Sequence, residues 1–278
     1  MNNYIIVCNE DKKDSNIVAK DIEEYIASKG GKARIVLRNL ETMRNAIDVD
    51  DDTECVIVLG GDGSILRTVR GLYPALIPVV GVNMGHLGFL TQTEPSGVKP
   101  LIDRLFADDY TMDERMMLKG DIYHNGEIVD SDISLNDIVI SRSGISRIVK
   151  LELYVNGELL DVYDADGVIV STPTGSTAYN LSAGGPVVCP KTSLMLVTPI
   201  SPHALTARSV VLSDTDELRV VLGEVRTAPK EGYITFDGQI GKTISPLDSI
   251  VIKKLDTPAK LIRVRQESFY EVLRDKIK

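Results

Sequence analysis

The sequence predicts an α/β plus β fold: an N-terminal Rossmann-like parallel α/β domain, a C-terminal mainly antiparallel β domain, and a C-terminal helix returning to the first domain. Three observations carry this. Strand-like and helix-like segments alternate over roughly the first hundred residues, the order that builds a parallel sheet with helices on both faces. Beyond Asp108 the chain turns to short alternating runs broken by Asn125-Gly126 and Asn156-Gly157, the dipeptides of tight hairpins. Phe269, Tyr270, Val272, Leu273 and Ile277 then restore helical spacing. A chain of 278 residues is about two domains long at ~100–200 residues per domain. The expected division is 1–107, with 262–278 packing back on it, and 108–261.

The elements follow in order. Tyr4 to Cys8 is an apolar run that reads as a buried strand, and Ile17, Val18, Ile22, Tyr25 and Ile26 form the stripe of a helix stopped by Gly30-Gly31. Ala33 to Leu37 is the next strand, followed by a short helix near Leu40 to Ala46. Cys55 to Leu59 is β-branched and bounded by glycines, Ser64 to Arg70 has helical spacing, Ile77 to Val82 is a strand, and Val98 to Phe106 is a helix. In the second part Leu118 to Tyr123, Ile138 to Ser141, Ile148 to Val155, Val168 to Ser171, Ser209 to Leu212, Glu217 to Leu222 and Ser249 to Lys253 read as strands.

Composition narrows the class. A hydrophobic fraction of 43% with 26% charged residues is that of a globular enzyme, and no apolar stretch approaches bilayer length. Met1-Asn2-Asn3 leads straight into the first strand with no signal-peptide flank, so a cytoplasmic home is expected, with no membrane association. Cys8, Cys55 and Cys189 lack C-x-x-C spacing and read as reduced core thiols. A net charge of −9 argues against a nucleic-acid surface, which needs clustered Lys and Arg. Asp48, Asp50, Asp51, Asp52 and Glu54 read as a solvated loop, and no metal cage is expected.

Chemistry concentrates at a few places. Gly60-Gly61-Asp62-Gly63 joins a strand to a helix, where glycines admit backbone N–H groups to anionic oxygens and the helix start adds partial positive charge. A carboxylate inside such a phosphate cradle repels its ligand unless a cation or a substrate hydroxyl stands between, which marks Asp62 as chemical. The bland reading, Asp as a helix cap, stands beside it. Gly81-Val82-Asn83-Met84-Gly85-His86-Leu87-Gly88-Phe89-Leu90-Thr91 leaves another strand end, where open α/β sheets gather ligands. A lone His86 there is more often structural than catalytic. Asn136-Asp137 offers a donor and acceptors suited to a ribose diol or an adenine edge, or simply forms a strand-entry turn. Arg147 faces phosphate or caps a strand edge. The densest run is Asp166 to Pro186, whose six Ser and Thr hydroxyls suit a polar ligand, with Tyr179 free to stack on a flat ring. Phe236-Asp237-Gly238-Gln239 is a β-turn carrying an amide, and His203 reads as structural.

In this order the segments resemble the NAD kinase family: the G-G-D-G turn, the N-x-G-H-L-G-F loop, the Asn-acidic pair, the D-G-x-I-V-S-T-P-T-G-S-T-A-Y-x-L-S-A-G-G-P run and a late D-G-Q. The resemblance implies transfer of the terminal phosphoryl group of ATP, or of polyphosphate, to the 2′-hydroxyl of the adenosine ribose of NAD. It implies Asp62 as catalytic proton acceptor or orienter. Gly61, Asp62, Gly63, Phe89, Asn136, Asp137, Arg147, Asp164, Asp166, Thr177, Ala178, Tyr179, Ser182 and Gln239 fall at its NAD- and nucleotide-contacting positions. It implies a divalent cation, magnesium, arriving on the nucleotide, and a homo-oligomer, dimer or tetramer. The chain departs from the common pattern at Met84, where Thr is frequent, at Asp137, where Glu is frequent, and at Asp164, where some members carry a basic residue. Two other functions fit parts of the pattern. A lipid or sugar kinase shares the G-G-D-G turn but not the long run, and a non-catalytic dinucleotide sensor has no use for Asp62.

Overall fold

The computed structural model describes residues 1–39, 46–85, 88–144, 148–204, 206–223, 231–265 and 267–276. The expected helix near Leu40 to Ala46, His86, Arg147 and Ile277 lie wholly or largely outside them. The chain divides into two compact units, Met1–Glu114 with Ala259–Lys278, and Arg115–Pro258.

The first unit begins β1 (Asn3–Asn9), α1 (Lys13–Ser28), β2 (Lys32–Arg38), β3 (Cys55–Leu59), α2 (Asp62–Leu72), β4 (Val79–Val82), β5 (Thr91–Thr93), α3 (Val98–Phe106) and β6 (Thr111–Arg115). Its sheet runs β2-β1-β3-β4, with every one of those pairings parallel. Strand alternation sends Tyr4, Ile6 and Cys8 of β1, Cys55, Ile57 and Leu59 of β3 and Val80 and Val82 of β4 to one face, where they pack with α1 and α3. The other parity faces α2: at Gly81 a Cβ would run into Ile65 of that helix, so only glycine allows this approach. Helices therefore cover both faces. Along α1 the buried positions are Ser15, Ala19, Ile22 and Ile26, while Ile17 is 61% exposed. The expected stripe is thus displaced: Ile17 belongs to the solvent side, and small Ser15 and Ala19 let the helix lie close to the sheet. Gly30, at φ +85°, closes α1, as its place after the last turn required. Cys8 and Cys55 are buried free thiols, and Asp48, Asp50, Asp51, Asp52 and Glu54 are exposed.

The second unit comprises β7 (Leu118–His124), β8 (Glu127–Ser134), β9 (Asp137–Arg142), β10 (Val149–Val155), β11 (Glu158–Ala165), β12 (Gly167–Ser171), α4 (Tyr179–Ser182), β13 (Leu194–Ile200), β14 (Val210–Ser213), β15 (Leu218–Leu222), β16 (Gly232–Phe236), β17 (Ile240–Ile244) and β18 (Ser249–Lys254). They form two six-stranded sheets, β11-β10-β15-β18-β7-β8 and β14-β13-β12-β9-β16-β17, whose inward residues, from Leu118 and Ile250 on one to Val168 and Phe236 on the other, make one core. Asn125 and Asn156 take φ of +51°, each followed by a glycine of positive φ, in the hairpins that their sequences signalled. β13 was not expected from the sequence. Pro199, its next-to-last residue, argues against a central strand there; it pairs with Val168 of β12 but lies beyond the ladder to β14, which ends at Val197.

From Ala259 the chain returns to the first unit. Here β19 (Ala259–Arg263) adds to the sheet beside β4 and in parallel with it, ahead of α5 (Phe269–Lys276). A helix was expected here and a strand was not. α5 starts on a reciprocal cap, with Glu271 N–H donating to Ser268 Oγ at 3.2 Å and Ser268 N–H to the Glu271 carboxylate at 2.6 Å.

Candidate functional site

In the first unit, β3 ends at Leu59 and α2 begins at Asp62, two residues ahead of the Ser64 start expected from spacing. Asp62 therefore occupies the first helical position, where the helix dipole favours a carboxylate. Its side chain does not cap its own helix. It reaches to the loop after β4, where Oδ2 accepts the Phe89 N–H at 2.8 Å and Oδ1 the Leu90 N–H at 3.0 Å. The loop is braced in turn by the Gly88 N–H on Thr91 Oγ1 at 2.9 Å. Each carboxylate oxygen has a second lone pair, so the group still has capacity for a hydroxyl donor. Phe89 contributes its backbone to Asp62 while its ring lies 6.5 Å from that of Phe269 and under the Lys276 ammonium at 5.5 Å, both on α5.

The sheet order reverses between β1 and β3, the crevice where doubly wound sheets bind ligands. A cleft there has Asn9, Arg38, Ser64, Arg67 and Thr68 among its lining residues, with no carboxylate among the described ones. Burial pushes the pKa of both arginines down from the usual guanidinium range. A Cβ at Gly63 would stand 3.8 and 3.9 Å from the Arg67 guanidinium nitrogens, so this cation overlies the glycine turn.

In the second unit, Asn136 and Asp137 open β9. Their backbone is held by a residue that the sequence reading passed over: Asp237 accepts N–H groups from Leu135 at 3.1 Å, Asn136 at 2.7 Å and Asp137 at 3.2 Å. Asp237 and Gly238, at φ +52° and +62°, form the D-G turn between β16 and β17, and Gln239 follows with its N–H on Phe236 O. The sequence signals for Asp237 were the turn and the late D-G-Q motif, neither of which assigned it a role. Asp137 is 4% exposed, and burial, with the Asp237 charge second, pushes its carboxyl up to about 7. Near neutrality it both donates and accepts, where sequence alone made it an acceptor.

The hydroxyl-rich run divides into two sets. Ser171, Thr172, Thr174 and Ser176 are buried and largely committed internally, so they do not surround a ligand as the run as a whole suggested. Thr172 Oγ1 donates to Leu135 O at 2.6 Å and accepts the Gly175 N–H at 3.1 Å, and Ser176 Oγ accepts the Val188 N–H at 3.0 Å. Asn180, fully buried, donates to Ser176 O and Pro186 O and accepts from Thr198. Gly175 and Gly185 are required: a Cβ would strike Asn136 O at the first and the Asn180 carboxamide at the second. What this framework presents is Thr177 and Ala178, half-buried, with Tyr179 and Ser182 exposed. Asp166 pairs with Arg142 at 2.7 Å. Asp164 lines a separate cavity of about 550 Å³ with His203 and Arg208, and its carbonyl accepts the His203 N–H.

A parallel α/β unit with a carboxylate in a glycine turn at the strand ends, joined to a β-sandwich that presents a braced polar loop, defines an enzyme of the G-G-D-G kinase class. Models of the ATP-NAD kinase N-terminal and C-terminal domains match residues 23–110 and 135–264. An NAD kinase of Lachnoclostridium phytofermentans is 38% identical over 99% of both chains, and one of Agathobacter rectalis 39% identical over 100% of this chain and 99% of its own. The chain belongs to the NAD kinase family of phosphotransferases. In fold it is similar to an NAD kinase from Archaeoglobus fulgidus in complex with ATP, with a TM-score of 0.77, 24% identity and coverage of 100% and 98% of the two chains. It is also similar to yeast NADH kinase complexed with NADH, at 0.80, 22%, and 98% and 86%.

Proposed function

We propose that the chain transfers the terminal phosphoryl group of ATP to the 2′-hydroxyl of the adenosine ribose of NAD, giving NADP, with Asp62 as proton acceptor. The 2′-oxygen bonds to the γ-phosphorus as the bond from that phosphorus to the β,γ-bridging oxygen breaks. The electron pair leaves with ADP and the hydroxyl proton passes to Asp62. The observation that carries this reading is the two-point grip of Phe89 and Leu90 N–H groups on the Asp62 carboxylate. Such a grip fixes a base in position at no cost when the reaction occurs, and general-base catalysis of this kind is worth ~10²–10⁴-fold.

Asn136, Asp137, Thr177, Ala178, Tyr179, Ser182 and Gln239 hold NAD in this reading, with Asp166, Asp164 and Arg147 as further contacts. Gly61 and Gly63 bring backbone to the phosphates, and Arg38 and Arg67 face the donor chain, whether ATP or polyphosphate. A divalent cation, magnesium, supplies charge neutralisation on the donor phosphates. In this reading the ion rides on the nucleotide. Leu159, Leu160 and Val162 are exposed on the edge strand β11, which supports a homo-oligomer, dimer or tetramer. The reading is of a cytoplasmic enzyme. Separately, no helix among the described residues is long and apolar enough to cross a membrane.

The test is NADP formation from NAD, ATP and magnesium by the parent and by Asp62→Asn. The variant is expected to lose ~10³-fold in kcat while NAD affinity stays within a few-fold. Unchanged turnover would remove Asp62 from its role. Phosphorylation of a lipid or sugar in place of NAD would overturn the acceptor.

A further inference from the structure

We propose that Arg265 is the resident cation of the Asp62 site, a positioning residue that clasps the loop gripping Asp62 and offsets negative charge there during phosphoryl transfer. The inference rests on the reading of Asp62 above. A carboxylate working among phosphates needs fixed positive charge close by, and Arg67 over the glycine turn supplies it from one side only.

Arg265 follows β19, the strand that lies beside β4, and so arrives at the sheet end that carries the Asp62 loop. Its Nε donates to Gln92 O at 2.8 Å, while Gln92 Oε1 accepts the N–H groups of Val264 at 3.1 Å and Arg265 at 3.3 Å. This clasp ties β19 to β5. Leu90, whose N–H holds Asp62, lies two residues before Gln92, so the clasp fixes the root of the loop. The guanidinium is only partly used by it. Nη2 is buried with no hydrogen-bond partner, and Nη1 stands 3.8 Å from the Glu267 carboxylate.

A neutral side chain would make the same clasp without burying a charge, and burial does push the Arg265 pKa down. Among the nearby charges Glu267 acts most strongly against that shift, Arg263 adds to it, and Asp62 and Glu94 act against it more weakly. Arg265 is therefore within electrostatic reach of Asp62 and carries an uncommitted N–H edge. A guanidinium held this way acts on the site through its charge, and the clasp keeps it from swinging away.

The test compares Arg265→Met, Arg265→Lys and Gln92→Met in the full chain, with kcat, KM for NAD and for ATP, and melting temperature measured for each. Arg265→Met is expected to lower kcat ~30-fold or more with KM for NAD within three-fold, the size of effect that a lost charge-stabilising donor gives. Arg265→Lys keeps the charge without the fork and should retain at least ~10-fold more turnover than Arg265→Met. Gln92→Met, which removes the Oε1 half of the clasp but leaves the Arg265 Nε bond to the Gln92 carbonyl and keeps the cation, should lose less than Arg265→Met. Equal losses in Arg265→Lys and Arg265→Met, or a loss in all three that follows melting temperature, would reduce Arg265 to a structural clasp. An Arg265→Met enzyme with kcat within three-fold of the parent would remove the role entirely. If Asp62→Asn is inactive in the same assays, those failures fall on Arg265 alone. Full turnover in Asp62→Asn would instead overturn the reading beneath it.

Discussion

At Gly88 a Cβ would stand inside the Asp62 carboxylate, so the residue before the two gripping amides is held to glycine by the group that they grip. Gly88→Ala must move either the loop or Asp62, and a displacement near 1 Å at a reacting group costs ~10²-fold in rate. We expect kcat to fall by about that factor with a much smaller change in NAD affinity; steady-state kinetics with a direct NAD titration checks this. Gly61 is the matched contrast. A Cβ there meets nothing within 4 Å, and its φ of −87° suits any residue. Gly61→Ala should leave stability within ~1 kcal/mol, the range of an exchange at a helix N-cap. Any loss of turnover in it then reports the approach of a ligand to the backbone, read by pairing thermal melts with KM for ATP. Asp62 was legible in the sequence because strand, glycine turn and helix are contiguous. Its partners were not, since the Phe89 and Leu90 amides meet it from the far side of α2 and β4, and a backbone N–H carries no side-chain signature.

The D-G turn between β16 and β17 works as a buckle. Three amides at the entry to β9 converge on one carboxylate a hundred residues further along the chain. Asp237→Asn keeps the turn geometry but replaces one acceptor oxygen with a donor and removes the charge. Hydrogen bonds to a charged group are worth ~1.5–3 kcal/mol each, so a weakened set should loosen Asn136 and Asp137 and raise KM for NAD ~10-fold or more, with kcat less affected. Equal KM in parent and variant would show that the Asn-Asp pair does not depend on this buckle. At this scale the sequence reading succeeded where a period or a turn is local: the alternation from β1 to α3, and the Asn-Gly hairpins. It failed where tertiary pairing overrides local signals. β13 forms despite Pro199 because the proline falls past the β14 ladder, where only β12 pairs with the strand, and the short Ala259–Arg263 segment becomes β19 because an open place beside β4 awaits it. The hydroxyl run shows a third limit. Its composition marks it as special, but only packing divides Ser171, Thr172, Thr174 and Ser176, which brace the loop, from Thr177, Tyr179 and Ser182, which it presents.

For the molecule as a whole, each unit has its own core, and the one spanning Arg115–Pro258 buries a carboxyl in the wall of that core. The consequence is a pH dependence of folding whose sign is fixed. An unfolded Asp gives up its proton near 4, while the folded Asp137 carboxyl holds it up to about 7. Between those values the folded chain binds more protons than the unfolded one, so this group's contribution to stability declines as pH rises through the window. Going from pH 6 to pH 8 should therefore cost on the order of 1 kcal/mol from this one group, a few degrees in the melting temperature of a unit of this size. Asp137→Asn, which holds no titrating proton, should flatten that part of the profile while leaving the contributions of the surface carboxylates. The difference between the two profiles isolates Asp137, and calorimetry of parent and variant at several pH values from 5.5 to 8.5 measures it. The same charging of Asp137 converts a group that both donates and accepts into one that only accepts. KM for NAD in the parent should then change across pH 7 in step with the melting temperature, and a KM that stays flat while the melting temperature falls would separate the folding role of Asp137 from any contact with NAD.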